Sequence, residues 1–274
     1  MCVEGCHKAV QKAIARREFI ETAAGVVAGA TLGANVIEDA TAAPRNFTKA
    51  IDLTHTLNKE FPTYGGTENY VELEKIYTIE HDGYLMYKWH ITEHVGTHLD
   101  APAHFSPEGN SCEEIDVETL VTPLAVINVK TQAALNSDYQ VSIADIEAWE
   151  NVHGRLPDHC CVAMNSGWSD HLGTDKFRNE DSQGSLHFPG FSIEAAEFLR
   201  DKRNVNGIAV DTLSLDYGPS IDFSVHVAWL LSNRWGLEAV ANLDDVPPIG
   251  ATLVVGSPKI ENATGGPARL IALI

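Results

Sequence analysis

Basic charge is what this 274-residue chain has least of. Its 19 Lys and Arg stand against 38 Asp and Glu, for a formal net charge of −19. Such a surface cannot neutralise phosphates, which excludes nucleic acid as a partner, and it fits a well-solvated enzyme. Cysteine is sparse as well: Cys2, Cys6, Cys112, Cys160 and Cys161. The last three are an odd number with an adjacent pair, which is no disulfide framework. Cys160 and Cys161 stand in an apolar run ending at Met164 and read as small buried hydrophobes. The Cys2-x3-Cys6-His7 spacing matches no known metal or haem signature. No apolar run reaches the roughly 20 residues of a membrane span, so no stable span is expected. Internal repeats and interdomain linkers are also missing, while a hydrophobic content of 44% is ample for one packed core.

What is present begins with an unusual amino terminus. Lys8, Lys12, Arg16 and Arg17 are followed by Phe19-Ile20, a small apolar run from Ala23 to Ile37, and Ala40-Thr41-Ala42. Basic, apolar and small-residue segments in that order make a secretory signal. Arg16-Arg17-Glu18-Phe19-Ile20 resembles a twin-arginine export signal in particular. Residues 1–42 are therefore expected to be an export signal and residues 43–274 the enzyme domain, periplasmic or extracellular after processing. An ordinary amphipathic helix on a cytoplasmic protein is the alternative.

The densest chemistry lies in His94-Val-Gly-Thr-His-Leu-Asp-Ala-Pro-Ala-His104-Phe105. His94, His98, Asp100 and His104 all occupy even positions, and in an extended chain residues two apart share a face. Gly96, Thr97 and Pro102 argue against a helix here. The expectation is one row of four polar groups along a strand and loop. Imidazole and carboxylate together suit a divalent metal, zinc or manganese above all. Three such ligands with an open position make a catalytic site in which water loses its proton near neutral pH.

Along the chain, residues 50–55, 71–79, 84–92, 124–129, 160–164, 207–210, 252–255 and 270–274 read as strands. His81-Asp82-Gly83 should make a tight hairpin between the second and third. Ser142 caps a helix through Glu150, Ser192 caps another over 193–200, and 223–231 is helical. Residues 236–243 are expected to be extended. Strands outnumber helices and the helices come late, which indicates a mixed α/β fold. His226 lies in an apolar helix, where a lone histidine is usually a satisfied core residue. Glu238 lies among apolar neighbours and needs a partner. A shared metal would supply both, although spacing alone does not place such distant residues together.

The string from His94 to Phe105 resembles the His-x-Gly-Thr-His-x-Asp-x-Pro-x-His-Phe signature of the metal-dependent cyclase family, whose members include bacterial kynurenine formamidases and isatin hydrolases. The similarity extends over residues 50–274, including Asn165-Ser-Gly-Trp168, Phe188-Pro-Gly190 and Asp211-Thr212. It implies a swivelling β/β/α domain with a central barrel-like mixed β-sheet and flanking helices. It further implies that His94, His98 and Asp100 hold one metal, that Asp100, His226 and Glu238 hold a second, and that His104 is the general base. Glutamine in place of Glu238 would mark members with a single manganese. Family members more often carry Arg or Lys and Thr where this chain has Asn165 and Ser166.

The reaction implied is hydrolysis of an amide or formamide, such as isatin or N-formylkynurenine, by activated water. A lyase, a cyclase or a lactone hydrolase is the alternative chemistry. A non-catalytic metal-binding protein is a further alternative, disfavoured because metal binding alone does not require His104. Phe61, Tyr64 and Trp89 are candidates for an aromatic substrate wall, with core packing as the competing role. The partner is a small molecule, and a homodimer or homotetramer is expected.

Overall fold

A computed structural model describes residues 46–65 and 71–274. The expected export signal lies outside the described residues. The described chain divides into a large unit, Asn46–Glu72 with Ile91–Ile274, and a hairpin segment, Leu73–His90. In chain order the strands are β1 (Ala50–Asp52), β2 (Val71–Tyr77), β3 (Met86–Ile91), β4 (His98–Asp100), β5 (Val121–Asn128), β6 (Gln140–Val141) and β7 (Cys161–Asn165). They continue with β8 (Gly190–Phe191), β9 (Gly207–Val210), β10 (Trp235–Glu238), β11 (Ala251–Gly256), β12 (Gly265–Pro267) and β13 (Arg269–Leu273). The helices are α1 (Ile79–Asp82), α2 (Lys130–Leu135), α3 (Ile143–His153), α4 (Ile193–Arg203) and α5 (Ser224–Leu230). No described helix is long and apolar enough to cross a membrane.

Nine strands form a mixed sheet in the order β1-β13-β11-β5-β7-β9-β10-β4-β12. Its centre, β5-β7-β9-β10, is parallel; β11 and β4 flank it antiparallel, and β12 pairs antiparallel with β4. The sheet curls far enough for Thr54, just past β1, to bridge Val240, just past β10, with Ala241 donating to the Leu53 carbonyl at 2.9 Å. That contact makes the sheet barrel-like.

Strand alternation then builds two cores. Leu124, Val126, Cys161, Ala163 and Ala209 point to the inside of the curl. Their neighbours Ala125, Ile127, Val162, Met164, Ile208 and Val210 point outward and are covered by Ile146 and Trp149 of α3, Leu199 of α4 and Trp229 of α5. Burial on both faces is why these central strands read as continuous apolar runs. Cys112, Cys160 and Cys161 are free thiols buried in this packing.

Helix ends follow their caps. Ser142 and Asp145 form a reciprocal capping box at α3, and Ser192 accepts from the Ala195 amide at α4. Both helices run three residues beyond the expected ends, to His153 and Arg203, because the stop signals are Gly154 and the left-handed Asn204.

Three local expectations are corrected. The β2–β3 link is a helical turn, α1, in which the Thr78 hydroxyl accepts from His81 and Gly83 supplies the left-handed cap. Residues 236–243 are not one strand: β10 stops at Glu238 and Ala239 turns to φ 49°. Tertiary bonds impose that turn, from Ala239 N–H to the Thr212 carbonyl at 2.8 Å and from Thr97 Oγ1 to the Ala239 carbonyl at 2.6 Å. The metal motif is also not one extended row. Only His98–Asp100 is strand, after a bend at Gly96 with φ 68°, and Pro102–His104 is a 3-10 turn. A bulky residue avoids the conformation at Gly96, and proline at a first helical position favours the turn.

Candidate metal centre

The short strand β4 is the inner support of the site. It is paired on one side with β10 in a register that sets His98 opposite Glu238 and Asp100 opposite Gly236. On its other side lies β12. Glu238 is the last residue of β10 before the turn at Ala239, so its side chain lies beside that of His98. The buried face of helix α5 brings His226 to the same place.

Four side chains thereby converge, all nearly inaccessible: His98, Asp100, His226 and Glu238 are between 1% and 5% exposed. His98 Nε2 lies 3.2 Å from Asp100 Oδ1 and 3.4 Å from Glu238 Oε2. His226 Nε2 lies 3.5 Å from Asp100 Oδ2 and 3.1 Å from Glu238 Oε1. His94 joins through Nδ1, 2.7 Å from Asp100 Oδ1, and its Nε2 meets Thr264 Oγ1 at 3.1 Å. The carboxylate of Asp100 is thus shared, one oxygen towards His94 and His98 and the other towards His226.

Two atoms at the centre are orphaned. His98 Nε2 and Asp100 Oδ2 are buried and make no hydrogen bond, although partners lie at ion-pair distance. A buried carboxylate oxygen without a donor is costly, and a cation removes the cost. The outer atoms of the ligand set are already fixed. His98 Nδ1 faces the Gly96 carbonyl at 2.8 Å, and His226 Nδ1 faces Asp216 Oδ2 at 2.6 Å. With Nδ1 donating, each ring presents its Nε2 lone pair inward, as metal-binding histidines do. One atom each from His98, Asp100 and Glu238 lies within 4.8 Å of the others, and the same holds for His94, Asp100 and His104. The residues fit a divalent metal.

The electrostatics agree. Burial opposes a charge on His98, yet Asp100 and Glu238 together lift its imidazole to about 9. His226 is raised well above the usual value against the same opposing burial, by the carboxylates of Asp100, Asp216 and Glu238 that surround it. Burial and the neighbouring Asp100 charge raise Glu238. Two carboxylates this close call for positive charge between them. His104 behaves oppositely: burial pushes it down to about 4, which leaves a neutral ring able to accept a proton. It stacks on His94 with centroids 3.7 Å apart.

A cavity of about 320 Å³ opens over these groups. Tyr64, Phe105 and Phe223 form its aromatic side, with Phe223 5.6 Å from Tyr64 and 5.8 Å from Phe105 between ring centroids. Arg178 donates to the carbonyls of Thr63 and Tyr64 and so holds the loop that carries Tyr64. Among the described residues no lysine or arginine lines the cavity.

Of the aromatics read from sequence, Tyr64 lines the cavity and Phe61 does not. Phe61 packs edge-on against Phe177 in a separate core cluster. Trp89 is in the hairpin unit and 70% exposed. Sequence reasoning passed over Phe105, Phe223 and Asp216. Phe105 was signalled by its place beside His104, and Phe223 by lying three residues before His226. Asp216 carries no spacing signal. Asn165 and Ser166, where the chain departs from the family pattern, are spent elsewhere: Asn165 Nδ2 donates to Asp244 at 2.8 Å and Ser166 Oγ to Asp211 at 2.6 Å.

An isatin hydrolase from Roseibium aggregatum is 32% identical over 224 residues, which cover 78% of this chain and 84% of the relative. A kynurenine formamidase from Bacillus cytotoxicus is 27% identical over 222 residues, 81% of this chain and 95% of that one. The structure of isatin hydrolase A from Labrenzia aggregata, bound to benzyl benzoate, superposes with a TM-score of 0.78 at 33% identity, covering 82% of this chain and 93% of its own. The family described as putative cyclase matches residues 51–217. With the signature from His94 to Phe105 inside that match and the similarity running through most of both chains, this protein belongs to the cyclase family.

Proposed function

We propose that the chain is a metal-dependent hydrolase that opens a neutral cyclic amide of the isatin type. The observation that carries this reading is the orphaned pair His98 Nε2 and Asp100 Oδ2 at the floor of an aromatic cavity without a fixed cation. Hydrolysis of amide or formamide C–N bonds is the activity common to the isatin hydrolases and kynurenine formamidases it resembles. N-formylkynurenine carries a free carboxylate and ammonium. Among the described cavity residues no lysine or arginine pairs with that carboxylate.

His94, His98 and Asp100 would hold one divalent ion, zinc or manganese, and Asp100, His226 and Glu238 a second. The division of the two Asp100 oxygens supports this sharing. Bound there, a divalent metal supplies Lewis acidity that polarises a carbonyl and acidifies water. His104 takes the proton of the attacking water and returns it to the nitrogen as the C–N bond breaks, leaving a carboxylate and an amine. Its stack on His94 and its place in the cavity wall hold it for both transfers. Tyr64, Phe105 and Phe223 bind the flat ring and keep bulk water from it.

Export through residues 1–42 and association as a homodimer or homotetramer complete the proposal. The hairpin unit, with Leu73 55% and Trp89 70% exposed, supports association.

The test is turnover of the zinc- or manganese-loaded protein on isatin and on N-formylkynurenine, with product analysis. Isatin should be opened to its ring-cleaved acid with a kcat/KM at least about tenfold higher. His104→Ala should lower kcat by about 10²–10⁴ with metal content unchanged. A preference for N-formylkynurenine would overturn the neutral-substrate reading. No turnover of either at full metal occupancy would overturn the amidase reading.

A further inference from the structure

Residues 214–216 run between Glu238 and His226, the two side chains that reach the centre from outside the motif, and they contact both. The Leu215 N–H donates to Glu238 Oε1 at 3.0 Å. One residue on, the Asp216 carboxylate faces His226 Nδ1 at 2.6 Å and accepts the His226 backbone N–H at 3.1 Å, the Val225 N–H at 2.9 Å and the Ser220 hydroxyl at 3.2 Å. Asp216 is 1% exposed. Three of its four bonds are to groups other than the imidazole, so its position does not depend on His226 being in place. The imidazole adapts to the carboxylate and not the reverse.

The backbone of Asp216 is itself held by a glycine. A Cβ on Gly190 would lie 2.3 Å from the Asp216 carbonyl carbon and 2.3 Å from the Tyr217 nitrogen. Beside it, the Phe191 N–H donates to the Leu215 carbonyl at 2.9 Å. This gives the Phe188-Pro-Gly190 segment a role that no step of the hydrolysis requires: its glycine lets the chain approach close enough to set Leu215 and Asp216 under both ligands.

We propose that Asp216, seated against Gly190, is a positioning residue that fixes the Nδ1–H tautomer and the orientation of His226, so that Nε2 is presented to a divalent metal. The proposal rests on the reading of His226 as a metal ligand. An outer carboxylate on a ligating histidine sets its ring and raises its basicity, and losing one typically costs about 10–100-fold in metal affinity.

The experiment is competition titration of the chelator-stripped full chain with Zn²⁺, on wild type, Asp216→Asn, His226→Ala and the double variant, with the melting temperature of each stripped protein. Asp216→Asn keeps an acceptor for the backbone amides and removes the charge. It should bind zinc about 10–100-fold more weakly. In the His226→Ala background the same change should cost nothing further, because the route through the imidazole is gone. Wild-type affinity in Asp216→Asn would overturn the proposal, as would an equal loss in the His226→Ala background. Should the variants not fold, nitrogen-15 shifts of the zinc-loaded wild type decide: a proton on Nδ1 of His226 is expected, and one on Nε2 would overturn the proposal. Wild type that binds no zinc or manganese would instead overturn the reading of the site, and this inference with it.

Discussion

Asp100 and Asp211 are each 1% exposed, and their surroundings are opposite. Asp211 accepts from the Ser166 amide at 3.1 Å, the Ser166 hydroxyl at 2.6 Å and the Trp168 amide at 2.9 Å. Donors of the protein reach both of its oxygens, and it fixes the loop that follows β7. Asp100 has histidines at ion-pair distance from both oxygens, yet Oδ2 makes no hydrogen bond. Burial of a carboxylate is therefore no mark of function in itself. The mark is a buried carboxylate whose demand the protein does not meet, which is a demand for a cation. Glu150 stands between the two: Arg203 supplies its cation from within the chain, through two contacts of 2.7 Å that tie α3 to α4.

The comparison breaks if the three carboxylates respond alike to neutralisation. The largest effect is expected at Asp100. Asp100→Asn should abolish metal uptake and lower turnover by about 10²–10³, the worth of several kcal/mol of transition-state stabilisation. Retained metal with full turnover would place Asp100 beside Asp211 as a structural group.

Asp211→Asn should reverse the pattern, with turnover per folded molecule kept and stability lost by about 1–3 kcal/mol at pH 7, since the amide nitrogen would face donors. The pH dependence has a definite sign. Burial pushes Asp211 up to about 6, above the ordinary 3.8, so its protonated form favours the fold. That contribution is complete below the unfolded value and is lost as pH rises through about 6. In urea unfolding, the deficit of Asp211→Asn relative to wild type should therefore grow as pH falls from 7 to 4. A constant deficit would show that the carboxyl keeps its ordinary value.

The smallest effect is expected at the ion pair. Arg203→Met should cost about 1–2 kcal/mol in the same assay and leave metal binding untouched, because the pair is partly solvated and Glu150 can turn to water.

The fold and the site were legible to different depths. Strands β5, β7 and β9 announced themselves as apolar runs because both of their faces are buried, and α3 and α4 by their serine caps. The ligands of the motif were legible because His94, His98 and Asp100 lie within seven residues of one another, although a bend at Gly96 and not a single strand face brings them together. His226 and Glu238 stood out as polar groups among apolar neighbours, but only the family resemblance assigned them to the metal, since the register of β10 on β4 is a tertiary fact. Asp216, the turn at Ala239 and the left-handed Phe223 were beyond reach for the same reason. Each depends on a partner more than seven residues away or on a backbone conformation that its residue type disfavours.

The central claim is that the unmet demand at Asp100 is met by a divalent ion. Calorimetric titration of the chelator-stripped protein with Zn²⁺ and Mn²⁺ tests it most directly. The account predicts saturable uptake of one or two ions per chain in wild type and none in Asp100→Asn. No uptake in wild type, or uptake undiminished in Asp100→Asn, would contradict it.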